Sequence, residues 1–306
     1  MSGAKPVIKR AMMWSNALPA QPKTVAESQE AFDGVLEACG IPLSLDSKEK
    51  MRRLRAVPME ELRSKIMNLK IHTFRGVTDD TFISSQMYAS ITDGRFAREF
   101  SRRGMSLIIG EVTDEELLYR ATNPPMNVKD LGTQLENYYR ADQVEKLKTA
   151  FEVPADADAA ALRDVFGDIV AHGQVYITAR ELVRSLLEGG VDPKRILRYR
   201  VAWLASRIAA TSLWSNGVTH ADDQPLWWYS TRFGFSAADE QTAKEWLRPV
   251  QAFLEGKEDE AAKEWYAPEA PPKDGMRMRE VRNGQIKVVD DDRWPRCEKL
   301  AKAIAV

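Results

Sequence analysis

Cysteine and histidine are scarce in this chain: 306 residues hold two of the first, Cys39 and Cys297, and three of the second. Two distant cysteines make no disulfide framework, and no Cys or His pair stands at zinc-ligand spacing. No apolar run approaches the ~18 residues that a membrane span requires. The opening MSGAKPVIKR has no apolar signal core. An excess of one charge is also missing: 44 basic and 45 acidic residues leave a net charge of -1, without the basic surplus of a nucleic-acid binder. The densest basic stretch, Lys48 to Arg55, is followed by Glu60 and Glu61 and reads as a solvated helix face. There is no internal repeat, and no G-x-S-x-G nucleophile elbow. The expectation is a soluble cytoplasmic protein with no metal or organic cofactor, no nucleic-acid partner and no membrane partner.

Core-forming material is present in ordinary amount, with 44% hydrophobic and 29% charged residues. VIKRAMMWS (7–15), GMSLIIGEV (104–112) and ILRYRVAWLA (196–205) read as buried strands. Each apolar run is too short for a helix and is bounded by polar or turn residues. Thr24 with Glu27 has capping-box spacing ahead of a helix that Gly40 ends, and Pro58 separates two short helices in 46–69. Residues 126–187 are mainly helical. AKEWLRPVQAFLEG (243–256) predicts a Trp-bearing helix, and Asn283-Gly284 inside MREVRNGQIKVVDD is a strong hairpin signal. Alternating strands and helices mean an α/β fold, with few strands for the length.

In α/β sheets, functional groups gather beyond the carboxyl ends of the strands. Glu115 follows the second strand, and His220, in WSNGVTHADDQPLWW (214–228), follows the third. A carboxylate ahead of a histidine is the chain order of an α/β-hydrolase triad whose nucleophile comes first. The chemistry needs the acid to fix the imidazole tautomer, and needs histidine because its ordinary pKa, ~6.5, lies near neutrality. Read from residues alone, His220 beside Asp222 and Asp223 also fits a solvated turn. Glu115, flanked by Asp114 and Glu116, also fits an acidic helix N-terminus.

Several segments, in order, resemble the C-terminal half of the type-B carboxylesterase family, which includes the cholinesterases. VIKRAMMWSNAL resembles the strand after the nucleophile elbow, SLIIGEVTDEELLY the triad-acid segment and RVAWLASRIAATSLWSNGVTHADDQPLWW the triad-histidine segment. AKEWLRPVQAFLEG and the hairpin resemble the last helix and sheet edge. The resemblance implies a single partial α/β-hydrolase domain over 1–306: an incomplete central sheet, flanking helices and a terminal β-hairpin, without the nucleophile-bearing half. It implies a serine esterase acting on small-molecule esters with Glu115 and His220 as catalytic residues, Glu116 being the alternative acid. Trp227 and Trp228 would either line the substrate pocket or pack the histidine turn onto the sheet; Trp214 is expected to pack. Asp222 and Asp223 should fix the turn, whereas His72 and His172 carry no motif.

The departures matter equally. Ser15 and Ser106, the nearest stand-in nucleophiles, read as structural. Where the family pairs the cysteine resembling Cys39 with a second one, this chain has Arg53, which suits a reducing compartment. The chain is therefore expected to be a truncated and inactive C-terminal part, with an open first-strand edge that favours self-association. The alternatives are a non-catalytic binding relative, or a half-domain completed by another polypeptide.

Overall fold

The computed structural model describes residues 7–16, 22–122, 124–206, 217–229 and 235–304; Trp214 lies outside them. The chain forms two compact units.

The smaller unit, Gln21–Met87 and Pro125–Leu162, is helical. Thr24 caps its first helix, Val25–Ala38, in a reciprocal capping box: Glu27 N donates to Thr24 Oγ1 at 3.1 Å and Thr24 N to Glu27 Oε2 at 2.7 Å. Two helices, Ser47–Ala56 and Met59–Met67, are separated at Val57-Pro58, because proline drives the residue before it out of the helical region. Leu36, Leu131 and Leu135 are fully buried, and Cys39 is a free thiol. Arg53 pairs with Glu49 at 2.8 Å.

The larger unit holds a five-stranded sheet in the order β1 (Arg10–Trp14), β2 (Ser106–Val112), β3 (Ile196–Ala202), β4 (Arg277–Arg282), β5 (Gln285–Asp290). The first four run parallel and β5 returns antiparallel. Asn283 and Gly284 take φ of 50° and 72°, the left-handed pair that a two-residue hairpin turn requires. The observed strands are shorter than expected, β2 beginning at Ser106 and β1 ending at Trp14. β1 begins at Arg10, leaving Val7 and Ile8 exposed, and β3 stops at Ala202.

The two faces of this sheet differ in kind. On one, Ile108, Val112, Leu197, Tyr199 and Val201 join an apolar core with Trp227, Trp246 and Trp265. Gly110, paired with Tyr199, sits where a Cβ would run into the Tyr199 carbonyl and ring. The other face starts apolar at Leu107, Ile109 and Ile196 and then turns ionic. Glu111 bonds Arg180 at 2.7 Å, Arg200 at 3.0 Å and Arg293 at 2.9 Å, while Asp291 bonds Arg180 and Arg198, each at 2.6 Å. Burial alone pushes the Glu111 carboxyl up, but Arg180, Arg200 and Arg293 together hold it well below the usual carboxylate range.

Helices Ala159–Ala171 and Ile177–Glu188 are joined without a break by a buried π-helical turn, His172–Tyr176. Among the described residues no helix is long and apolar enough to cross a membrane.

Candidate active site

Two turns at the carboxyl end of the parallel strands build the site. The first follows β2 and leads into the short helix Glu116–Ala121; the second, residues 217–223, leads into the helical turn Gln224–Trp227. They are fastened to each other by hydrogen bonds from three backbone N–H groups. Asp114 N donates to the Val218 carbonyl at 3.0 Å, and Val218 N donates to Asp114 Oδ2 at 2.9 Å. Thr219 Oγ1 accepts the N–H of Leu118 at 3.0 Å, so the second turn caps the helix of the first. Gly217 permits the approach: a Cβ there would lie 2.6 Å from Leu117 Cδ1 and 2.9 Å from Asp114 Oδ2.

This clasp places Glu115 and His220 in contact, with His220 Nδ1 and Glu115 Oε2 2.7 Å apart. Glu115 is fully buried, and its other carboxyl oxygen accepts the N–H of Val112 at 3.0 Å. The His220 side chain remains 31% exposed. A carboxylate only accepts, so Nδ1 carries the proton and Nε2 keeps its lone pair. Burial pushes the Glu115 carboxyl above its usual range, opposed by the bond to His220 and by the facing Ser15 hydroxyl. Burial depresses the His220 imidazole, but the bond to Glu115 and its charge outweigh this and leave it raised.

Glu116 turns the other way. Its Oε2 lies 3.1 Å from the Tyr176 hydroxyl, which also accepts the Glu115 N–H at 3.0 Å. Asp222 accepts Thr219 N at 2.9 Å within the turn. Asp223, buried and with its carboxyl raised chiefly by that burial, accepts Trp227 Nε1 at 2.9 Å and the Tyr199 hydroxyl at 3.2 Å. Both aspartates fix the histidine turn.

The two expected pocket tryptophans part company. Trp227 is buried in the apolar core, its ring 5.9 Å from Trp14 and 4.8 Å from Tyr199, so it packs the turn onto the sheet. Trp228 is 67% exposed and meets Trp14 edge-on. Tyr119, whose ring centroid lies 5.8 Å from that of His220, was not distinguished by sequence reasoning, because nothing marks one tyrosine on a short helix. Ser15 is buried just after β1 with a φ of 47°, its hydroxyl facing Glu115. Ser106 lies at the opposite end of the sheet, where its Oγ reaches Glu258 at 3.3 Å. His172, without a motif in sequence, is buried: its Nδ1 lies 2.8 Å from the Asp168 carbonyl, and burial pushes the imidazole down to about 4. Among the described residues no three His, Cys, Asp or Glu side chains gather as metal ligands would.

No protein-family model matches the chain. It is 37% identical to an uncharacterized esterase/lipase of Schizosaccharomyces pombe, over 99% of this chain and 56% of that protein. It is 28% identical to a carboxylic ester hydrolase of Gibberella moniliformis, over 95% of this chain and 53% of that one. The chain thus spans about half the length of these relatives. Its fold matches the crystal structure of Aspergillus niger EstA with a TM-score of 0.61 at 15% identity, over 97% of this chain and 59% of EstA. At that identity the likeness speaks for the fold, an α/β architecture with a mixed central sheet flanked by helices.

Proposed function

We propose that Glu115 and His220 are the acid and the general base of a serine carboxylic-ester hydrolase of the type-B carboxylesterase kind. In this reading the chain forms the C-terminal half of an α/β-hydrolase domain, and the nucleophile lies outside these 306 residues. The observation that carries it is the 2.7 Å contact between the buried Glu115 carboxylate and His220 Nδ1, made between two turns at the carboxyl edge of a parallel sheet. Both relatives bear esterase names, which supports the same chemistry.

In the proposed reaction a serine Oγ attacks the ester carbonyl while His220 Nε2 takes its proton. Glu115 stabilises the imidazolium so formed, and backbone N–H donors hold the oxyanion. The alcohol leaves with the proton from Nε2, forming an acyl-enzyme. Water then attacks the acyl carbon and gives its proton to Nε2, and the acid is released as the serine Oγ leaves with that proton. Trp228, exposed on the histidine turn, is the proposed apolar wall for a small ester. Losing the serine of such a triad costs on the order of 10⁶ in turnover in a well-studied serine protease, so the chain alone should be inactive. A half-domain completed by another polypeptide keeps the same chemistry. The two free thiols fit a cytoplasmic setting.

The test is fluorophosphonate labelling of the native protein captured through this chain. The expected label sits on a serine of a G-x-S-x-G segment outside residues 1–306 and disappears in His220→Ala. A label on Ser15 or Ser106 would end the half-domain reading, and no label on any copurified segment would end the serine-hydrolase reading.

A further inference from the structure

Within that reading, Glu115 has a competitor. Two carboxylates stand side by side at the start of one helix, and chain order alone does not decide which turns inward. The deciding contacts come from a distant element. Tyr176 ends the π-helical turn His172–Tyr176 and is buried. Its hydroxyl accepts the Glu115 N–H at 3.0 Å and lies 3.1 Å from Glu116 Oε2 and 3.2 Å from the Thr113 carbonyl. A phenol has one proton, so it donates to one of these two at a time. Its ring is held in turn: the Arg293 guanidinium stands 4.4 Å above it, donates to the Thr113 carbonyl and bonds Glu111 at 2.9 Å.

We propose that Tyr176 is the positioning residue of the acid, its hydroxyl pinning the Glu115 peptide and holding Glu116 away so that only the Glu115 carboxylate faces His220. The π-helical turn has a reason in this arrangement. One extra residue in the helix re-aims a side chain, and such turns are frequent at functional sites. Arg293 and Glu111 then make the ring's position a property of the buried charge network rather than of one contact. Because burial also pushes the phenol well above its usual range, it remains a neutral donor wherever the histidine titrates.

The test is the His220 titration midpoint, read by NMR of ring-labelled histidine in the purified chain with whatever segment copurifies. In the wild-type protein that midpoint lies above the ordinary 6.5 if the Glu115 contact is made. Tyr176→Phe removes only the hydroxyl and should lower that midpoint by about half a pH unit or more. Tyr266→Phe is the matched control. Its hydroxyl also accepts one backbone N–H and donates to one carbonyl, those of Arg198 and Ile196, so its loss should leave His220 unmoved. A raised wild-type midpoint that Tyr176→Phe leaves unchanged overturns the positioning role alone. An unraised wild-type midpoint overturns the acid–base pair itself. If Tyr176→Phe does not fold, Arg293→Lys decides: it keeps the charge but withdraws the planar guanidinium that holds the ring, so a lowered midpoint supports the proposal and an unchanged one overturns it.

Discussion

The charge state of His220 is set by two opposed effects, and their signs make a prediction. Burial is the larger single influence and lowers its pKa, while Glu115 raises it by hydrogen bond and charge. Removing the charge with Glu115→Gln should therefore carry the midpoint from above 6.5 to below it, a reversal of sign visible in the same NMR titration. The stability linked to this group follows the same direction. A raised midpoint contributes stability that is complete below the unfolded value and lost as pH rises through the folded one. If the proposed hydrolase is made with this chain, the acid limb of its kcat/KM should lie above 6.5 for the same reason, since only neutral imidazole takes a proton. The next residue is strained. Ala221 holds a φ of 74°, a left-handed backbone that costs an L side chain roughly 1–2 kcal/mol. Ala221→Gly removes that penalty against a glycine entropy cost of roughly 0.5–1 kcal/mol. It should leave stability unchanged or raise it by up to about 1 kcal/mol in urea unfolding, whereas a clear loss would mean the methyl packs.

At the scale of elements, β3 shows what a strand pattern conveys and what it hides. Leu197, Tyr199 and Val201 alternate with Ile196, Arg198 and Arg200, and every one of the six is buried. The alternation was legible as a strand. That its second face would be ionic was not, because the counter-charges Glu111 and Asp291 arrive from β2 and from the segment after β5, and a further arginine, Arg180, from the helix Ile177–Glu188. A one-dimensional pattern cannot show such convergence. The π-helical turn escaped for a related reason, since apolar spacing at three and four residues continues on either side of it. Network energetics are testable through its centre. Glu111 faces three guanidinium groups, and replacing it with glutamine leaves them short of a buried partner. Breaking a buried pair from one side costs ~3–5 kcal/mol, so Glu111→Gln should lower the urea midpoint sharply and do so equally at low and high salt. A loss that shrinks with salt would place these charges in water.

For the whole molecule, the legible part was the order of parts: three buried strands, a terminal hairpin, and an acid and a histidine on the turns after β2 and β3. The 2.7 Å contact that joins those turns depends on pairing between β2 and β3, which no local pattern specifies. The sheet's other border has the plainest consequence. β1 pairs with β2 on one side and has no further strand beside it among the described residues. Along it Arg10 Nε and Trp14 Nε1 are buried without a hydrogen-bond partner. Just before it, Val7 and Ile8 are 87% and 59% exposed. An open edge of this kind pairs with another chain unless charge or proline blunts it. The purified chain should accordingly scatter light as a species heavier than one chain. The double variant Val7→Lys, Ile8→Lys adds two charges beside the edge without touching the core, and should shift the mass toward a single chain. A sharp single-chain peak for the unaltered protein would show that the edge is already covered, and association unchanged by the two lysines would move the contact elsewhere on the surface.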